Sequence, residues 1–151
     1  MILKIKVLNG KLYMKKKEYV AGFLFSDNHR QVVLIKKNKP EWQRGLLNGV
    51  GGKIEENETA LTAMIREFKE ETGLEIKNWV EYVIVLGNEW KVYFFYTDSD
   101  NINDVKNMTD ETVGIYNVSD LYDLNVIPNL RWLIPMCLDQ CHTYAMVNAN
   151  N

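Results

Sequence analysis

The sequence predicts an α/β sandwich, a mixed β-sheet between helices, and three observations predict it. Strand-like runs lie on both sides of one strongly periodic helix, a second helical stripe follows near the end, and 46% hydrophobic residues in 151 supply one sizeable core. Residues 1–151 are therefore read as a single domain.

The elements follow in order. Residues 2–8 and 11–16 alternate aliphatic residues with lysine around Asn9-Gly10, a strong hairpin signal, so a hairpin over 1–16 opens the fold. Two strands are expected at 19–26 and 31–37, parted by the turn-forming run Asp27 to Arg30, which makes His29 a solvated turn residue. After Pro40, the glycine-bearing stretch Gly45 to Asn57 suits an ordered loop, and loops of such length usually carry function. Residues 58–73 place Leu61, Met64, Ile65 and Phe68 at helical spacing, with Gly73 as the stop. Strands at about 78–86 and 89–97 join at Gly87-Asn88; Asp98 to Asp110 reads as a polar, mobile loop, and Thr112 to Val118 as a short strand. From Asn129 the apolar stripe Leu130, Leu133, Ile134, Cys137, Leu138 and Cys141 traces a final helix that Pro135 either starts or kinks, and residues 147–151 form a frayed tail.

Composition excludes several functions. The 18 basic and 20 acidic residues nearly cancel, so no broad positive field is present to hold a nucleic acid stably. The amino terminus, Met1 to Val7, is too short and too charged an apolar run for a signal peptide or membrane span, so a cytoplasmic protein is expected. The two cysteines, Cys137 and Cys141, form no disulfide framework and suit a reducing compartment; both are expected to face the core. His142 beside them lacks a recognised zinc spacing. An apolar surface on the first hairpin or the terminal helix would allow a homodimer, or equally be buried within the chain.

The central helix carries the chemistry. Glu67, Glu70 and Glu71 stand at i, i+3 and i+4, so they share one face and crowd negative charge there. The stripe of Leu61, Ile65 and Phe68 lies on a separate face, and Ala60 and Ala63 leave space on the acidic side for a loop or ligand. Hard divalent cations prefer such oxygens, and a cation held there would contact substrate phosphates. Arg66, four residues before Glu70, is placed to orient a carboxylate. Gly51-Gly52-Lys53 ahead of the helix supplies backbone able to approach phosphates closely, with a positive charge beside it.

Gly52, Glu58 and the run Arg66 Glu67 Phe68 Lys69 Glu70 Glu71 Thr72 Gly73 Leu74 resemble the Nudix box with every defining position filled. The resemblance, which extends over about residues 19–146, implies a Nudix-type α/β/α sandwich and a Mg2+-dependent hydrolase, with Mn2+ as a substitute, that cuts a phosphoanhydride in a nucleoside diphosphate linked to a further group. It implies that Glu67, Glu70 and Glu71 bind the metal, with the Gly52 carbonyl as a further ligand, that Arg66 holds the acids, and that Glu58 has a secondary part. A later-loop carboxylate often serves such enzymes as base, and Glu111 is the candidate here.

Leu47 to Glu55 is similar to the loop of MutT-type nucleoside triphosphate pyrophosphohydrolases, including those that clear oxidised purine nucleotides. In that reading Asn48 addresses the base, although a turn asparagine is equally expected there. Trp90, Tyr93 and Trp132 are candidate stacking partners, and Lys36, Lys37, Lys39, Arg44 and Lys53 candidate phosphate contacts. Cleavage of ADP-ribose, dinucleoside polyphosphates or FAD is the alternative within the same chemistry. A non-catalytic nucleotide-sensing module is the alternative outside it, disfavoured because all three box acids are present.

Overall fold

The computed structural model describes residues 5–139 and 144–149. Asn9 and Gly10 both adopt positive φ, 51° and 73°, the backbone a tight two-residue turn requires, and they join β1 (Ile5–Leu8) to β2 (Lys11–Met14) in a separate two-stranded sheet. Among the described residues the main sheet has eight strands: β3 (Lys17–Phe25), β4 (Gln31–Lys36), β5 (Leu47–Asn48), β6 (Val50–Lys53), β7 (Val80–Leu86), β8 (Trp90–Asp98), β9 (Thr112–Asn117) and β10 (Ala145–Asn148). Their order is β10-β7-β8-β3-β4-β5, with β6 paired to β3 and β9 to β4. The sheet is mixed: β3–β8 and β10–β7 run parallel, the remaining pairs antiparallel.

Alternation along the central strands builds two cores. On β3, Ala21, Phe23 and Phe25 join one cluster with Leu130, Leu133 and Ile134 of α2 (Leu130–Leu138), while Val20 and Leu24 join another with Ala63, Met64 and Phe68 of α1 (Ala60–Thr72). Val32 and Leu34 of β4 divide from Val33 and Ile35 in the same way. A period of two places successive side chains on opposite faces, and both faces are covered, which is why these strands read as unbroken apolar runs.

Four expectations are corrected. First, Gly45 to Asn57 is not all loop: β5 and β6 wedge between β3 and β4, which pair with each other only at Phe25–Val32. Gly51 makes the wedge possible, since a Cβ there would lie 1.9 Å from the Val20 carbonyl oxygen. Second, α1 buries Ala63, Met64, Phe68 and Thr72, whereas Leu61 is 41% exposed; the buried face is rotated toward the acids, because glycines let α1 lie close against β6. Third, the 98–110 segment carries a short 3-10 turn, Ile102–Asp104, pinned by the buried Ile102. Fourth, Val147 and Asn148 belong to β10, hydrogen-bonded to β7, instead of a frayed tail.

Pro135 lies inside α2, and the helix ends at Leu138. The Cys137 thiol donates to the Leu133 carbonyl, and burial pushes it up to about 12, an inert core thiol; Cys141 and His142 fall outside the described residues. At its start α1 is capped by Thr59, which accepts from the Thr62 amide while the Thr62 hydroxyl accepts from the Thr59 amide, and Gly73 ends it at φ 76°.

Gly51→Ala sets a methyl against the β3 backbone, which cannot yield as a side-chain tip can. It should lower unfolding free energy by about 2 kcal/mol or more, read as a shift in the denaturant midpoint. A midpoint equal to wild type would mean that β6 has room to move away from β3.

Candidate active site

The helix α1 packs against the strand β6. A Cβ on Gly52 would lie 2.5 Å from the Glu67 carboxyl carbon, so only a residue without a side chain allows this backbone to lie beside that acid. The Glu67 side chain keeps 13% of its exposure. Burial, helped by Glu70 and Glu71, pushes its carboxyl above the usual range against the downward pull of Arg66.

Arg66 organises the acids. Its Nε donates to Glu58 Oε2 at 2.7 Å and its Nη2 to Glu58 Oε1 at 2.8 Å, a two-pronged pair. Nη1 donates to Glu67 Oε1 at 2.7 Å and to Glu70 Oε2 at 3.3 Å, and Nη2 also reaches the Lys53 carbonyl at 3.0 Å. The guanidinium holds Glu58 below the usual carboxylate range, and its own proton is held more tightly in return. Glu58 is thus the fixed counter-anchor of Arg66. Glu71 is addressed from another segment, accepting from the Thr109 hydroxyl at 2.8 Å.

The box residues fit a hard divalent cation in donor chemistry. They offer three carboxylates on one helix face, one of them largely buried, with a bare carbonyl-bearing backbone beside it. Among the described residues, no group of three or more His, Cys, Asp or Glu side chains converges on one point; Glu67 and Glu70 lean on Arg66, and Glu71 leans on Thr109.

A cleft of about 570 Å³ opens where β3 and β4 part. Lys53, Asn48 and Trp90, the substrate candidates of the sequence, line it, as does Gly52. Trp90 packs over Gly87, where a Cβ would lie 2.1 Å from its ring, so this wall is firmly seated. Lys37 and Lys39 also line the cleft; Arg44 pairs weakly with Glu41 in the open, and Lys36 ends its strand exposed and away from it.

Three expectations fare differently. Trp132 does not line the cleft: Leu130, Leu133 and Ile134 take the inward face of α2 and turn its ring outward, 36% exposed. Tyr93 is engaged with Glu18 and Lys91, also away from it. Glu111 is placed as an anchor: 5% exposed, it accepts from Lys37 Nζ at 2.7 Å and from the Asn38 amide at 2.6 Å, so both oxygens are taken. Asn48 behaves as the turn asparagine that was the other expectation, accepting from the Gly49 amide and donating to Gln43.

Two cleft residues escaped the sequence. Trp42, 67% exposed, stands on the short 3-10 turn Glu41–Gln43, outside any periodic pattern; its signal was a lone tryptophan in a polar loop. Asn129 stands at the N-cap position of α2 but makes no side-chain cap hydrogen bond, and its buried Oδ1 has no partner while the residue lines the cleft.

The NUDIX domain family model matches residues 15–135. An 8-oxo-dGTP diphosphatase of Proteus vulgaris is 34% identical over 62 residues, 41% of this chain and 55% of that protein, so the chain spans little more than half that relative's length. By structure, a MutT described for Aliivibrio salmonicida and Vibrio cholerae superposes with TM-score 0.68 at 19% identity, over 84% of this chain and 99% of its own. The NUDIX domain of Shewanella oneidensis NrtR, complexed with ADP ribose, gives 0.68 at 15%, over 85% and 90%. These two likenesses are of fold. With the complete box running from β6 through α1 to Leu74 and four-fifths of its length matched by the family model, the chain belongs to the Nudix hydrolase family.

Proposed function

We propose that this chain is a magnesium-dependent nucleoside triphosphate pyrophosphohydrolase of the MutT type, acting on purine nucleotides and releasing a monophosphate and pyrophosphate. The observation that carries this reading is the position of Gly52, which lines the cleft on one side and abuts the Glu67 carboxylate on the other. A phosphate chain lying over Gly52 and Lys53 is thereby brought to the acidic face of α1. Glu67, Glu70 and Glu71 would hold the metal, with the Gly52 carbonyl as a further donor; bound Mg2+ supplies polarisation of the phosphoryl oxygens and activation of water.

The chain's own groups do the rest. Arg66 keeps Glu67 and Glu70 oriented while remaining bound to Glu58, so the acids stay in place without a cation. Lys53 and Lys39 at the cleft wall oppose the charge of the phosphates. The free Oδ1 of Asn129 accepts from an amine or ring N–H of a purine edge, Asn48 presents its remaining amide hydrogen nearby, and Trp90 offers a firm stacking face. The diphosphatase relative points the same way, toward an oxidised purine triphosphate. The cleft's continuation to Trp42 and Glu89 favours a second reading, a substrate with a further group beyond the diphosphate such as ADP-ribose.

Glu70→Gln and Glu71→Gln remove charge at constant volume. Each should lower kcat on the order of a hundredfold with an unchanged melting temperature; wild-type turnover in both would end the metal assignment. Gly52→Ala pushes a methyl into the Glu67 carboxylate that Arg66 holds, and a comparable loss of kcat with only a small change in stability is expected. Activity retained in that variant would show that Glu67 has freedom to move. The substrate is decided by kcat/KM with Mg2+ across ordinary and oxidised triphosphates, ADP-ribose, FAD and diadenosine polyphosphates. Triphosphates should lead, and Asn129→Ala should cost roughly tenfold in purine preference; ADP-ribose leading would favour the second reading.

A further inference from the structure

The three box glutamates are not held alike. Arg66 donates to Glu67 and Glu70, whereas Glu71 takes its hydrogen bond from Thr109, on the segment between the Ile102–Asp104 turn and β9. That segment lies across the end of α1. The Lys106 amide donates to the Thr72 carbonyl at 2.9 Å, and Met108 packs beside Gly73.

Its far end is pinned as firmly. Glu111 accepts from Lys37 Nζ and the Asn38 amide in nearly complete burial, Asn38 Nδ2 donates to the Asp110 carbonyl at 2.9 Å, and the Val113 amide donates to Asn107 Oδ1 at 2.7 Å. From this anchored backbone the Glu111 amide donates to Thr109 Oγ1 at 3.3 Å. A hydroxyl that receives one hydrogen bond on its lone pair is left with its own proton to give, and here the acceptor is Glu71 Oε2 at 2.8 Å. The hydroxyl is thus oriented from behind by the backbone and in front by the carboxylate.

We infer that Thr109 is a positioning residue for Glu71: its hydroxyl, steadied by the Glu111 amide, holds one carboxylate oxygen and leaves the other for a divalent cation. The inference rests on the reading of Glu71 as a metal ligand. A glutamate on a half-exposed helix face samples several rotamers, and each one frozen before the cation arrives is ordering that the cation need not impose. Partners that orient a metal-binding carboxylate act on metal affinity in this way. The same chain of contacts gives Glu111 a role, since its carboxylate ties the segment to Lys37 at the cleft wall. A purely structural staple between loop and helix would act on stability and leave cation affinity alone.

The test is a Mn2+ binding isotherm on the full chain without nucleotide, followed by the Mg2+ concentration for half-maximal activity. Thr109→Val, which keeps shape and loses the hydroxyl, should weaken Mn2+ binding about three- to tenfold, move the Mg2+ midpoint by the same factor, and leave the substrate KM at saturating Mg2+ unchanged. Thr109→Ser restores the hydroxyl and should restore the isotherm. Wild-type Mn2+ affinity in Thr109→Val overturns the inference, as does equal weakening by Val and Ser. Glu71→Gln separates the two levels: weakened binding there beside an unchanged Thr109→Val defeats the inference alone, whereas a Glu71→Gln isotherm like wild type defeats the metal reading and the inference with it.

Discussion

The site depends on a stretch of backbone with nothing attached to it. Gly51 and Gly52 lie in β6 between β3 and α1, and each is bare on the side where contact is closest: Gly51 toward the Val20 carbonyl, Gly52 toward the Glu67 carboxyl. In a strand, successive residues face opposite ways, so two adjacent glycines permit close approach on both sides at once. The helix can then press against the sheet with an acid at the interface. A side chain at Gly51 would push β6 from β3, and one at Gly52 would displace the Glu67 carboxyl from its place beside the strand.

That closeness has an electrostatic cost, and Arg66 offsets it. Three glutamates within five residues repel, and Glu67 is in addition taken out of water. Glu58 holds the guanidinium from outside the cluster by two bonds, so its remaining N–H groups arrive at Glu67, Glu70 and the Lys53 carbonyl already aimed. This network differs from a surface ion pair, which would contribute little, because its members are partly buried and share one geometry. Burial raises the Glu67 carboxyl while Arg66 draws it down. Carboxylate oxygens crowded on one helix face beside bare backbone are the donor chemistry that a hard divalent cation takes.

Much of this was legible from the residues, for reasons that differ by element. The hairpin turn at Asn9-Gly10, the strands flanking Asp27 to Arg30 and the stop at Gly73 follow from local backbone preferences, which survive folding. The acids on α1 follow from helical spacing. The rotation of its buried face toward Ala63 did not, because that face is set by how near β6 can come, a tertiary fact. The short strands β5 and β6 were invisible for the same reason: glycine has low strand preference, and pairing with β3 and β4 overrides it. Trp132 was misplaced by composition without phase, since its neighbours on α2 claim the core. Glu111 stands in the sequence as the candidate later-loop base, and nothing local reveals that Lys37, far away in the chain, closes on it.

Asn129 shows how a conflict between levels can point to function. An asparagine ahead of a helix is expected to cap it, and here the cap is forgone: the backbone at Asn129 is already helical, at φ −69° and ψ −17°, and its Oδ1 is buried without a partner. A buried acceptor left unmade costs on the order of 1–3 kcal/mol, so a fold that keeps one forgoes stability that a capped start would have retained. Asn48, across the same cleft, is satisfied by its own turn and so carries no such strain. The two asparagines are therefore unequal, and the unsatisfied one is the sharper probe of what the cleft receives. It stands at the start of α2, on the sheet face opposite α1, whereas the acids are held by α1 and β6. Asn129 borders the cleft from the α2 layer while the acids stand on α1, and Gly52 and Lys53 touch both, so on the proposed reading the loops on the α2 side can change without disturbing the charge network on α1.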